Sequence, residues 1–85
     1  MHVSRFDLNL FVVFDAIYTE GSLTRAARVL NLTQPAVSHA LGRLRDRLED
    51  PLVVRQGARM VPTSRAGAMV TPVRHALGGL QRCLS

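Results

Sequence analysis

Between Ser22 and Leu48 the chain has room for two helices and almost nothing between them. Ser22 can accept bonds from the free N–H groups that open a helix. Ala26, Ala27, Val29 and Leu30 give that helix a short apolar side. Asn31 tolerates the left-handed conformation that ends many helices, and Leu32 is expected to turn inward. Thr33 is a good N-cap for the second helix, and Pro35 falls in its first turn, where a missing N–H costs nothing. From about Gln34 to Leu48, Val37, Ala40, Leu41, Leu44 and Leu48 fall at i, i+3, i+4, i+7 and i+11 and form one stripe. Wound at about 100° per residue, Pro35, Ser38, His39, Gly42, Arg43 and Asp46 lie opposite it, with Gln34 at the edge.

This exposed face carries an amide, a hydroxyl, an imidazole and, one turn later, a guanidinium. Gln can pair with adenine, Ser with several base edges or a phosphate, and the small Ala and Pro surfaces permit close approach to a major groove. Two short helices with a turn of a few residues are the helix-turn-helix geometry, in which the start of the second helix touches bases.

The flanks complete the unit. Asp7 is read as the N-cap of a helix running to about Glu20. On it, Leu10, Phe11, Val13, Phe14, Ile17 and Tyr18 cover more than half the circumference, which implies burial on two sides. One side would meet the helix-turn-helix and the other the C-terminal helix or a second chain; Gly21 ends the helix. Met1 to Phe6 is a short lead whose Arg5 is read as solvated. After Leu48, Pro51 forces the preceding residue out of helical space. Leu52 to Arg55 and Met60-Val61, around the turn-like Gln56-Gly57-Ala58-Arg59, form a small hairpin. A hairpin arginine can enter a minor groove or hold flanking phosphates. Pro62 closes the hairpin and Thr63 can cap a last helix. There Ala66, Met69, Val73, Ala76, Leu80 and Cys83 recur at alternating steps of three and four, widened by Val70, Leu77 and Leu84. Pro72 is expected to kink this helix, or to restart it with Thr71 as cap. The helix offers more apolar surface than so small a domain can cover, and a partner helix accounts for it.

Three blocks in order, AARVLNLTQPAVSHALGRL, LEDPLVVR and MVPTSRAG, resemble the N-terminal winged helix-turn-helix domain of LysR-type transcriptional regulators. The resemblance runs from about Leu8 to the end of the chain. It implies a mostly α fold: three helices plus a β-hairpin wing over residues 1–62, then a long linker helix over 63–85. It implies sequence-specific binding of double-stranded DNA, with the 34–48 helix in the major groove and the wing at the minor groove or backbone. Gln34, Pro35, Ser38 and His39 are the base-reading or close-approach group. Ser22 and Thr33 are expected on phosphate, each at a helix N-terminus, and Arg43 on phosphate as well. Arg55 falls on the family's wing arginine; Arg59 fits DNA contact and a solvated hairpin tip equally. Arg28, Arg45 and Arg47 are read as solvated or paired with Asp46, Glu49 and Asp50. The linker helix would pair two subunits through Met69, Val73, Ala76, Leu77, Leu80 and Leu84. The resemblance further implies a separate effector-binding domain that would hold any small-molecule inducer, no cofactor in this part, and RNA polymerase as a partner of the full-length protein. The sequence departs from the family pattern at His39, often arginine, at Arg45, often glutamate, at Glu49, often glycine, and at Val53, usually phenylalanine.

Composition narrows the alternatives. Eleven arginines, no lysine and six acids give 85 residues a net charge of +5, which favours an anionic partner. The single Cys83 excludes an internal disulfide and a thiol zinc site. His2, His39 and His75 are scattered and no glycine-rich phosphate loop is present, so an enzyme is not expected. The four aromatics, Phe6, Phe11, Phe14 and Tyr18, cluster at the first helix as core rather than as stacking platforms for RNA. No apolar run approaches the length that spans a bilayer and no signal peptide is visible, so a cytoplasmic protein is expected. A protein-interaction module is the rival reading, and it would want an apolar outer face on the 34–48 helix.

Overall fold

The computed structural model describes residues 2–85; Met1, part of the short lead, lies outside the described residues. Among the described residues a 3-10 turn, Val3–Arg5, precedes four α-helices and one hairpin: α1 Asn9–Glu20, α2 Leu23–Leu30, α3 Gln34–Leu48, β1 Val53–Gln56, β2 Arg59–Pro62 and α4 Ser64–Leu84.

The wide apolar surface of α1 is buried on both sides, as its pattern requires. Val13, Ala16 and Ile17 pack with Ala26 and Ala27 of α2, Val37 and Leu41 of α3, and Val53 at the wing. Phe6, Leu10 and Phe14 pack with Leu44, Leu52 and the α4 residues Ala66 and Val70. Fully burying side chains of the size of Phe14, Ile17 or Leu44 stabilises by about 1.5–3 kcal/mol each.

The punctuation residues act much as their chemistry suggests. Ser22 Oγ accepts from Arg25 N, Thr33 Oγ1 from Ala36 N and Thr63 Oγ1 from Ala66 N, each at 3.2 Å. Gly21 and Asn31 end α1 and α2 in the left-handed region.

Asp7 caps the entrance of α1, as its position suggests. Leu8 already has helical backbone angles, and the carboxylate of Asp7 before it receives the N–H of Asn9 at 3.1 Å. Leu32 does not turn inward. The left-handed Asn31 directs Leu32 N–H back to the Ala27 carbonyl at 2.9 Å, and its side chain is left 47% exposed. Val29 is 63% exposed as well, because α2 is short and Ala26, Ala27, Leu23 and Leu30 suffice to seat it.

Pro72 does not restart α4, and Thr71 is no cap: helix runs unbroken from Ser64 to Leu84. Val70 before the proline and Val73 after it both pack against the α1 core, so burial on either side outweighs the lost backbone bond. Beyond the proline Arg74 clamps α4 to α1. Its Nε donates to Asp15 Oδ1 and its Nη2 to Thr19 Oγ1, both at 2.7 Å, and its guanidinium carbon lies 5.3 Å from the Tyr18 ring centroid.

Candidate nucleic-acid interface

α3 occupies the span its periodicity gives, Gln34–Leu48, and is anchored by buried Val37, Leu41 and Leu44. Opposite that stripe, Gln34, Pro35, Ser38, His39, Arg43 and Asp46 are all exposed. Gly42 sits among them with open space around it: a Cβ placed there would meet no atom within 4 Å. The outer face is therefore a low polar ridge, not an apolar one. Thr33 and Ser22 stand at the N-termini of α3 and α2, exposed and half-buried respectively. Each hydroxyl is already used as a cap, which leaves its own O–H free to donate outward.

The wing is held against this frame by bonds that the sequence does not announce. β1 and β2 are antiparallel, with Arg55 opposite Met60 and Gln56 opposite Arg59. Gly57, at φ +63°, closes the turn. Met60 N–H donates to the Gly21 carbonyl at 3.1 Å, tying β2 to the α1–α2 junction. Arg45 lies neither in solvent nor on an acid, the two places its sequence context suggests. It reaches back along the wing root instead, Nε to the Pro51 carbonyl and Nη2 to the Val53 carbonyl, both at 2.9 Å. Glu49 ends α3 in the left-handed region at φ +53°, and Leu52, fully buried, is left-handed too at φ +61°. These two turns bring the chain back under Arg45.

Asp50 does not pair with a neighbouring arginine of α3. Its Oδ2 accepts instead from the Thr63 hydroxyl at 2.7 Å and the Leu52 N–H at 2.8 Å. One carboxylate thus joins the wing root to the cap of α4. The Thr63 hydroxyl first, and then the Leu52 N–H, hold its carboxyl below the usual carboxylate range. Val53 is buried against the α1–α3 core. Arg55 and Arg59 are exposed on the hairpin, and Arg28 and Arg47 are exposed on their helices.

Arg43 is not a free guanidinium. Its Nη1 donates to Asp7 Oδ2 at 3.2 Å, so the flank of α3 is ion-paired to the entrance of α1.

The residues expected to pair two subunits divide into two groups. Met69, Val73 and Leu77 are half-buried within the chain, whereas Ala76, Leu80 and Leu84 are exposed. Leu80, Leu77, Ala76, Val73 and Pro72 of α4 face Leu8 and Phe11 across an apolar groove. Cys83 is exposed near the end of the same helix. Among the described residues no helix is long and apolar enough to cross a membrane, and no cluster of side chains could hold a metal ion.

Three core helices, a two-stranded hairpin after the third, and an exposed polar ridge on that third helix define a winged helix-turn-helix domain. Residues 8–67 match the family described as bacterial regulatory helix-turn-helix proteins, lysR family. The chain belongs to that family, which is one of regulators rather than enzymes. Nodulation protein D 2 of Bradyrhizobium elkanii is 52% identical over 77 residues, covering 91% of this chain and 23% of the relative. Nodulation protein D of Rhizobium leguminosarum bv. trifolii is 51% identical over 81 residues, 95% of this chain and 26% of the relative. The crystal structure of a probable transcriptional regulator from Pseudomonas aeruginosa, 48% identical, superposes with a TM-score of 0.94 over 96% of this chain and 28% of that one. The CbnR DNA-binding domain, solved in complex with DNA, shares the fold at a TM-score of 0.82 and 22% identity, over 92% of this chain and 90% of that one. The chain spans about a quarter of the length of the curated relatives it matches.

Proposed function

We propose that the chain is the module through which a longer transcriptional regulator binds double-stranded DNA with sequence specificity. The observation that carries this reading is the exposed ridge of α3, polar and slim along its whole N-terminal half, on a helix anchored from beneath. Gln34, Pro35, Ser38 and His39 read or closely approach base edges in the major groove. Ser22, Thr33 and Arg43 bind phosphate, and Arg55 and Arg59 track the backbone or the adjacent minor groove from the wing. The polar character of the ridge disfavours a protein-interaction module, which would present apolar side chains there.

The unit works as a homodimer. Residues 1–62 supply the DNA-facing part, and α4 supplies the pairing surface through Met69, Val73, Ala76, Leu77, Leu80 and Leu84. The apolar groove beside Leu8 and Phe11, and the exposed Leu80 and Leu84, support this assignment. In the full-length protein a separate domain holds the small-molecule inducer and RNA polymerase is a partner; the module itself needs no cofactor and acts in the cytoplasm.

Selection of bound sequences from a random DNA pool tests the reading. A two-fold symmetric consensus is expected, and Gln34→Ala should then flatten discrimination between the selected duplex and random DNA. Equal losses on both duplexes would remove the base-reading role of Gln34.

A further inference from the structure

We infer that Asp7 is a positioning residue for the duplex interface, a tether on Arg43 that suppresses binding to non-cognate DNA. This rests on the proposed contact between Arg43 and phosphate. Asp7 belongs to none of the contact groups and stands 36 residues away in sequence. Its carboxylate is fixed at both oxygens. Oδ1 receives Asn9 N–H at the entrance of α1 and Oδ2 receives Arg43 Nη1. The backbone carbonyl of Asp7 also accepts from Leu10 N–H at 3.0 Å, so the residue is held by the helix it precedes.

The side chains of Arg43 and Asp7 are 44% and 36% exposed, so a DNA phosphate has access to the guanidinium while the pair is formed. Arg43 lies one helical turn beyond His39 and borders the ridge. A free arginine at that place would be a long, mobile cation. It could pair with phosphates in any register, and binding to random DNA is almost wholly such an electrostatic interaction. A tethered guanidinium behaves differently. Held through Nη1, it has a shorter reach, and its remaining N–H groups meet a phosphate best when α3 sits in one register. In other registers it stays on Asp7, and the protein forgoes one counterion-releasing contact. The tether therefore weakens non-cognate complexes more than the cognate one.

The test uses Asp7→Asn, Arg43→Ala and the double variant. Asn retains the acceptor for Asn9 N–H while removing the charge. Each protein is titrated with a random-sequence duplex and with the duplex that the unaltered protein selects from a random pool, across a salt series. Asp7→Asn should raise affinity for random DNA about threefold and steepen its salt slope by about 0.9, the value of one phosphate contact. Affinity for the selected duplex should change less than twofold, and in the Arg43→Ala background Asp7→Asn should have no effect. If Arg43→Ala weakens both duplexes while Asp7→Asn is silent, or acts equally with and without Arg43, the tether is overturned and the phosphate role of Arg43 survives. If Arg43→Ala changes neither duplex, the phosphate role fails and the tether with it. Thermal unfolding of each variant separates these outcomes from loss of fold.

Discussion

Gly42 offers a perturbation whose two consequences have opposite signs. It lies inside α3, where glycine is less favourable than alanine by about 0.8–1.0 kcal/mol. The fold gives no return for that cost, since a Cβ at Gly42 would meet no atom within 4 Å and the residue has no left-handed backbone to require glycine. Gly42→Ala should therefore stabilise the free protein by nearly the full propensity difference. For 85 residues, with an unfolding entropy near 2.1 cal/mol/K per residue, that gain corresponds to a rise in Tm of about 5 °C. The methyl group would stand in the middle of the ridge, between Ser38 and Asp46. Where α3 seats closely in a groove, it should lower affinity for the selected duplex. Circular dichroism at 222 nm measures the first effect and fluorescence anisotropy with a labelled duplex the second. An unchanged or lower Tm would refute the reasoning about open space. A raised Tm with unaltered affinity would refute close approach at the third turn of α3.

Three further outcomes are expected. Glu49→Gly should raise stability by about 1 kcal/mol, because it relieves a left-handed non-glycine residue and removes an acid from the negative end of the α3 dipole; a fall in the denaturant midpoint would contradict this. Arg45→Met retains the aliphatic stem but loses the bonds to the Pro51 and Val53 carbonyls. It should cost about 1–2 kcal/mol and speed hydrogen exchange at Met60 and Val61, and unchanged exchange there would dismiss Arg45 as the wing's anchor. Asp50 holds its proton less tightly when folded than when unfolded. Its contribution is thus complete above the ordinary Asp value of about 3.9 and is lost as pH falls through the lowered folded value. Asp50→Asn should flatten the acid arm of the stability profile below about pH 4; an identical acid arm in the two proteins would refute the assignment.

Much of this structure is local chemistry, and that part is legible in the chain. The bounds of α3 come from its stripe and from Thr33 and Pro51. The caps at Ser22 and Thr63 need only a hydroxyl three residues before a free N–H. The two-sided burial of α1 is implied by the width of its apolar surface. What escapes is decided by where the chain goes afterwards. Arg45 finds carbonyls only because Glu49 and Leu52 turn left-handed and fold the wing root beneath it, and neither residue type signals such a turn. Asp7 meets Arg43 because α1 crosses α3, a contact that no spacing encodes. Pro72 is a helix breaker by itself, and is overridden by the burial of Val70 and Val73. Leu32 reads as core by its type, and the geometry of Asn31 sends it outward.

α3 is thus a polar ridge braced from beneath, flanked by a hairpin whose root is pinned by Arg45 and Asp50. Amide chemical-shift mapping on the selected duplex at low ionic strength tests directly whether that ridge meets DNA. The largest changes should fall on Gln34 to Arg43, with a second set on Arg55 to Arg59 and little on the exposed end of α4. Changes concentrated between Val73 and Leu84, or no association with the duplex at low salt, would contradict it.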